Sequence, residues 1–303
     1  MSIVQKVRDL SRPIRRRAKA IYRTIYAPAV PCLQPRNEQP RALFPAAAQE
    51  LSARWARYRA DSVDLTISPH DDMFVAGQLE HYLYVGTSAL EIISEGMLLA
   101  RKTHVANVLD VPCGYGRVTR HLVKFFPDAA VFVSEIDKAK QNFCASAFAA
   151  HGIDLPRDFS GEPPRDFDLI FVGSLLTHLN ASRTIDALHY LIRALADGGL
   201  LIFTTHGRHA TALPASQGQL EPKTLRGFLG TGFGYDGGST YGNSRIAPSW
   251  LLRVLETMPD ARVLGHREQG WASHQDVFII EKATGWTWPR PFTSRWLSRL
   301  SRA

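Results

Sequence analysis

From residue 105 onward, short apolar runs alternate with stretches of helical periodicity. The runs at 105–111, 130–135, 167–172 and 200–205 are rich in Val, Leu, Ile and Phe, as strands buried on both faces are. Between them, helical patterns over 116–126, 138–151 and 182–196 predict helices that cover a parallel sheet. The last of these should stop at Asp197-Gly198-Gly199, because glycine can take the left-handed conformation that ends a helix. A further helix is predicted over 248–258, opened by Pro248. Two closing strands, 261–266 and 276–281, lie near enough in sequence to pair as an antiparallel hairpin. The fold class is α/β, a doubly wound, mostly parallel sheet with an antiparallel edge. Upstream, 46–60 and 71–100 have helical composition and fall outside the repeating unit, as a cap or flank. There is no internal repeat.

The N-terminal segment has its own pattern. Ile3, Val7, Leu10, Ile14, Ala18, Ile21 and Ile25 recur at helical spacing with arginines between them, which predicts a basic amphipathic helix. Pro13 would kink it or open a second piece, and Pro28, Pro31, Pro35 and Pro40 then extend the chain as a linker. Three readings of this arm stand: a helix on an anionic membrane surface through 1–26, a partner-docking extension, or an organelle targeting peptide. The expected organisation is an arm at 1–41, a helical flank at 42–100, the sheet domain at 101–285 and a basic tail at 286–303.

Charge sharpens that division. The chain carries a net +8, yet residues 1–41 hold ten basic against two acidic side chains, and 290–303 hold four arginines and no acid. The remainder is net negative, so the body offers no footprint for a polyanion, and no nucleic-acid partner is expected. No run of 18 uncharged apolar residues spans a bilayer. The three cysteines, Cys32, Cys113 and Cys144, are odd in number and far apart. They fit neither a disulfide framework nor a zinc knuckle, and a reducing compartment is expected.

Val108-Leu109-Asp110-Val111-Pro112-Cys113-Gly114-Tyr115-Gly116-Arg117-Val118 runs from a buried strand into a glycine turn and then a helix. That is where an open parallel sheet binds its ligand. Gly114 and Gly116 permit a sharp turn and close approach, and the helix start favours an anion. The next strand ends in Glu135, about 20 residues on, where a carboxylate can accept both hydroxyls of a ribose. A dinucleotide site uses the same devices but needs a third glycine, which Gly114-Tyr115-Gly116-Arg117-Val118-Thr119 lacks. Asp110 sits badly with a pyrophosphate and suits a ligand bearing an ammonium group.

These residues resemble the class I S-adenosylmethionine-dependent methyltransferases. The likeness is carried by 108–117, by Glu135, by Phe167-Asp168-Leu169-Ile170-Phe171 followed by Gly173-Ser174-Leu175-Leu176-Thr177-His178, and by Gly198-Gly199-Leu200-Leu201-Ile202-Phe203-Thr204-Thr205. It covers about 105–205, and the closing strands extend it to about 281. The resemblance implies a seven-stranded Rossmann-like methyltransferase fold and S-adenosyl-L-methionine as cofactor. It places Asp110, Gly114 and Gly116 around the methionine part, Glu135 on the ribose, and Gly173 and Ser174 under the methionine end. Pro112, Cys113, Tyr115 and Ile136 complete the implied cofactor set. The adenine-binding stretch, 151–165, departs from the family pattern, and Asp154, Asp158 or Ser160 would serve there.

Methyl transfer from a sulfonium is an in-line displacement, so the protein positions the nucleophile and, for a hydroxyl, removes its proton. His178 follows the fourth strand and His206 the fifth, which makes them the two candidate bases. His274 and Asp276 flank Gln275 and are placed for a structural histidine–carboxylate contact. His70-Asp71-Asp72 has metal-ligand residue types, but acids after Ser68-Pro69 are also how a helix begins; a helix start is expected and no metal. Phe74, Tyr82 and Tyr84 are possible site walls. Seven glycines between Gly227 and Gly242 predict a long loop that covers the substrate side.

The expected activity is methyl transfer to a small-molecule or glycan acceptor, with a sugar hydroxyl as one candidate, by a cytoplasmic protein able to sit peripherally at a membrane. The alternatives are a non-catalytic cofactor-binding module and a nicotinamide-dependent oxidoreductase. No Asn/Asp-Pro-Pro-aromatic sequence follows the fourth strand, which disfavours methylation of a base amino group. No three-cysteine cluster motif exists, which excludes iron–sulfur radical chemistry.

Overall fold

A computed structural model describes residues 40–58, 63–164, 166–238 and 241–283. The expected arm, apart from its last two residues, and the expected tail lie outside the described residues, and with them the membrane contact through 1–26. Two helices lead into the sheet, α1 (Pro40–Arg57) and α2 (Leu79–Ala100). The alternating part then runs β1 (Asn107–Asp110), α3 (Thr119–Phe125), β2 (Ala130–Val133), α4 (Lys138–Phe148), β3 (His151–Gly152), β4 (Phe167–Val172), α5 (Ala181–Arg193) and β5 (Leu195–Thr205). After it come α6 (Arg208–Ser216), α7 (Pro222–Thr231), the strands β6 (Phe233–Gly237) and β7 (Gly242–Ile246), α8 (Pro248–Leu255), β8 (Ala261–Trp271) and β9 (Gln275–Lys282).

The main sheet has seven strands in the order β3-β2-β1-β4-β5-β9-β8. The first five are parallel, and β9 and β8 run antiparallel at one edge, as expected. Between β1 and β4 the order of connection reverses, which opens a crevice at the carboxyl ends of both strands. Asp110 is level with Val133 on one side and Phe171 on the other. The loops after β1, β2 and β4 therefore leave the sheet at one height. Because β9 is antiparallel, Thr205 pairs with Asp276, and the turn between β8 and β9 returns to that same edge.

Two apolar layers cover the sheet. One holds α2 and α3 against Val108, Leu169, Leu200 and Ile202, the other α5 and α8 against Leu109, Ile170, Leu201 and Phe278. Each fully buried Leu or Ile contributes about 1.5–3 kcal/mol. The helix α2 presses so close that a β-carbon on Gly96 would lie 3.0 Å from Ile202 Cδ1. The expected division at residue 100 is therefore no boundary, since Ala42–Gly285 is one compact unit and α2 is part of its core. By length and composition α2 is long and apolar enough to cross a membrane, but Ala89, Leu90, Ile93 and Met97 are packed inside this unit.

Three sequence expectations change, and one short strand is added to those read from the sequence. α5 ends at Arg193, and the ladder to β4 resumes at Leu195, so Asp197-Gly198-Gly199 falls in an irregularity of β5 rather than at a helix end. The extended stretch after α4 contains a two-residue strand, β3, paired parallel to β2. Asp71 starts no helix: its carboxylate accepts the Met73 N–H in a turn, and α2 begins only at Leu79. The predicted long loop folds into α7 and a β6–β7 hairpin. Pro222 at its first turn and the Glu221 carboxylate on the Thr224 N–H explain why α7 forms there.

Candidate functional site

A cavity of about 930 Å³ opens at the crevice between β1 and β4. One wall is the loop after β1. Asp110 ends the strand 2% exposed, and its carboxylate accepts a 2.6 Å hydrogen bond from the Thr119 hydroxyl. Burial pushes its pKa up to about 7, with Glu135 adding to the rise and Thr119 opposing it. Glu135 closes the loop from the next strand, one carboxylate oxygen accepting the Gly114 N–H at 3.1 Å and the other the Ile136 N–H at 2.8 Å. Lone pairs remain on both oxygens for further donors.

The two glycines play different parts. A β-carbon on Gly114 (φ +51°) would meet nothing within 4 Å, so this backbone faces open space in the cavity. On Gly116 (φ +80°) it would lie 2.2 Å from the Phe148 ring, and Gly116 is not among the residues lining the cavity. Gly116 lets the loop pack against α4, and the contact assigned to it beside the methionine part is not seen. The other implied cofactor residues, Asp110, Pro112, Cys113, Gly114, Tyr115, Glu135, Ile136, Gly173 and Ser174, all line the cavity. The Cys113 and Cys144 thiols both donate to the Gly114 carbonyl, at 3.4 and 3.3 Å. The Cys144 hydrogen bond and burial push the Cys113 thiol up, which keeps it unreactive.

The opposite wall is assembled from four connections. After β4, Ser174 holds a network: its N–H donates to Thr204 Oγ1 at 2.9 Å, Thr204 donates to Gln275 Oε1 at 2.6 Å, and Gln275 Nε2 donates back to Ser174 Oγ at 2.7 Å. A single turn, Leu176–His178, then brings His178 to the cavity. Its Nδ1–H donates to the Gly242 carbonyl at 2.9 Å, and its ring stacks on Tyr241 with centroids 4.6 Å apart and planes 11° apart. Since a carbonyl only accepts, the proton sits on Nδ1 and the lone pair on Nε2. His206 follows β5 and also lines the cavity. Burial, then Arg245, His274 and His178, lower its pKa to about 3, while the Ser244 backbone works the other way. Among the described residues its buried Nδ1 has no hydrogen-bond partner.

Several residues of the cavity have no site role assigned from the sequence, although Arg117 lies in the motif at 108–117 and Tyr241 in the glycine-rich stretch expected to cover the substrate side. Trp271, His274 and Gln275 arrive on the β8–β9 turn, Arg117 on the turn into α3, and Tyr241 on the β6–β7 connection. None of Phe74, Tyr82 and Tyr84 lines the cavity. Tyr82 is buried and donates to Asp71 at 2.6 Å, Phe74 packs on Tyr82, and Tyr84 reaches Ser273. Asp276 does not meet His274 but lies 3.5 Å from His266, across the hairpin from it. Of the adenine candidates, Asp154 lines the cavity and pairs with Lys138, whereas Asp158 and Ser160 hydrogen-bond to each other outside it. Among the described residues no group of three or more His, Cys, Asp or Glu side chains could hold a metal ion.

Residues 109–201 match the family described as a methyltransferase domain. No curated protein sequence matches the chain. Among solved structures, an S-adenosylmethionine-dependent methyltransferase from Clostridium acetobutylicum is 13% identical with a TM-score of 0.50, over 65% of this chain and 92% of that one. An amino pentose methyltransferase from Micromonospora echinaspora is 13% identical with a TM-score of 0.47, over 71% and 100%. A magnesium protoporphyrin IX methyltransferase from Synechocystis is 12% identical with a TM-score of 0.46, over 77% and 94%.

Proposed function

We propose that this chain, a class I S-adenosylmethionine-dependent methyltransferase by its matching domain and its fold, methylates a hydroxyl group of a small acceptor, a sugar hydroxyl in the first instance. The cavity fits the cofactor. Gly114 turns a bare backbone face into it, Glu135 stands at the end of β2 with lone pairs to spare, and Asp110 offers a buried carboxylate near the same loop. Glu135 would hold the ribose hydroxyls, and Asp110 with the loop carbonyls would face the ammonium group. Gly173 and Ser174 would lie under the methionine end. When bound, S-adenosylmethionine supplies a methyl group on a sulfonium, open to attack from the side opposite its sulfur.

The observation that carries the acceptor reading is the tautomer of His178. With Nδ1–H spent on the Gly242 carbonyl, Nε2 is free to take a proton from an acceptor hydroxyl. The Tyr241 ring fixes the imidazole plane from the other side. His206, neutral but with its pKa lowered to about 3, is too weak a base at neutral pH and serves as a hydrogen-bonding wall. The hairpin that brings Tyr241 would cover the acceptor.

The test is formation of S-adenosylhomocysteine across a panel of sugars, phenols and amines, with wild type, His178→Ala and His206→Ala. Replacing His178 should lower kcat on a hydroxyl acceptor by about 10²–10⁴-fold without changing cofactor affinity, and replacing His206 should cost far less. Full turnover of His178→Ala, or turnover of amines alone, would remove the hydroxyl reading.

A further inference from the structure

Two arginines three residues apart, beside the glycine loop, are used in opposite ways. Arg120 is 1% exposed, and every part of its guanidinium has a partner. Nε donates to the Gly116 carbonyl at 3.0 Å, Nη1 to the Asp64 carbonyl at 2.7 Å, and Nη2 to Tyr82 Oη at 3.3 Å and the Tyr115 carbonyl at 3.4 Å. Arg117 lines the cavity, half-buried, and among the described residues its side chain makes no hydrogen bond and no ion pair. Its guanidinium is held only by two rings, 6.0 Å from the Tyr82 centroid and 5.9 Å from that of Trp271.

The acids nearest to it are committed elsewhere. Asp71 accepts from Tyr82 Oη at 2.6 Å and from the Met73 N–H at 2.9 Å, and Asp72 pairs with Lys140 at 3.4 Å. Burial lowers the Arg117 pKa, so the cation is partly stripped of water while its donors stay unspent. A guanidinium presents five N–H groups in a planar fork that matches a carboxylate. Its place is central, because Trp271 also packs on Gly173, where a β-carbon would lie 3.0 Å from the indole. The carboxylates of Asp71, Asp72, Asp110, Glu135 and Asp154 around the same cavity oppose a ligand of high negative charge. A singly charged, planar anion suits both facts.

We infer that Arg117 is the carboxylate-binding residue of this cavity. The carboxylate has two possible sources, the amino-acid tail of the cofactor or an acidic acceptor, and the inference rests on the reading of the cavity as a cofactor and acceptor site. Arg117→Lys would keep the charge without the fork and restore only part of the affinity.

Calorimetry of the full chain, its Arg117→Met and its Arg117→Lys variants distinguishes the sources. The ligands are S-adenosylhomocysteine, 5′-methylthioadenosine, which lacks the amino-acid tail, and 4-hydroxybenzoate and glucuronate added to the S-adenosylhomocysteine complex. If the tail is the partner, Arg117→Met weakens S-adenosylhomocysteine by about 10- to 100-fold and leaves methylthioadenosine unchanged. If the acceptor is the partner, the nucleosides bind as in wild type, and a carboxylate probe that binds wild type is lost in Arg117→Met. Equal binding of every ligand by wild type and a folded Arg117→Met chain overturns the inference. Failure of wild type to bind either nucleoside overturns the cofactor reading itself, and the inference with it.

Discussion

The two walls of the cavity are built by different means. The wall formed by 110–117 and Glu135 is nearly continuous in sequence, and backbone geometry does most of its work: a turn, a close approach and two N–H groups on one carboxylate. The facing wall gathers Ser174, His178, His206, Tyr241, Trp271, His274 and Gln275 from separate connections and works through side chains. A backbone-built wall tolerates little change at a few positions and serves a ligand of fixed shape. A wall built of side chains on separate loops can change one residue at a time, which suits the half of the site proposed to take the acceptor.

The strongest way to break the first wall is Gly116→Ala. The new β-carbon meets Phe148 at 2.2 Å and forces an alanine to φ +80°, so stability should fall by about 2–4 kcal/mol, read as a lowered urea midpoint. Gly114→Ala, with open space beside it, should cost only the backbone strain. Next comes Glu135→Ala, which removes the proposed ribose acceptor and the clasp on Gly114. Affinity for S-adenosylhomocysteine should drop by about 10- to 100-fold by calorimetry.

Asp110 gives a smaller, pH-dependent effect. Burial raises its pKa in the folded chain to about 7, so between its ordinary value and about 7 the native state holds a proton that the unfolded state has released. The unliganded protein is therefore most stable, from this group, below that window and loses the contribution as pH rises through it. A ligand ammonium favours the ionised form, so affinity for S-adenosylhomocysteine should rise about tenfold from pH 6 to pH 8, with proton uptake by the buffer. Asp110→Asn should flatten both profiles; a wild-type affinity independent of pH would remove the assigned contact. The smallest effect is expected of Asp158→Ala, since that side chain bonds only locally to Ser160 outside the cavity. Cofactor affinity should not change, in contrast to Asp154→Ala.

Legibility follows the same division. The strands around Asp110 and Phe171, the glycine turn and the acid at Glu135 could all be read in the chain, because each is a local pattern of apolar runs, turn residues and spacing. The end of α5 was misplaced because the β4 ladder claims Leu195 before Gly198 can act as a helix stop. The glycine-rich stretch read as a loop became a hairpin because glycine is as compatible with close strand pairing as with flexibility. A β-carbon on Gly242 would lie 2.3 Å from the Asp236 carbonyl oxygen across that pair.

What the sequence by itself determined is the sheet, its crevice and the glycine loop after β1, since local periodicity and backbone conformation specify them. Only the tertiary structure decided that Gly116 serves packing, that His178 carries its lone pair on Nε2, and that Arg120 is spent on backbone carbonyls while Arg117 is not. Those facts depend on which distant donors, acceptors and rings meet across the fold. The antiparallel pairing of β8 and β9, which sets Trp271 at the end of one strand and Gln275 at the start of the other by the carboxyl edge, is a property of strand order that no local pattern encodes.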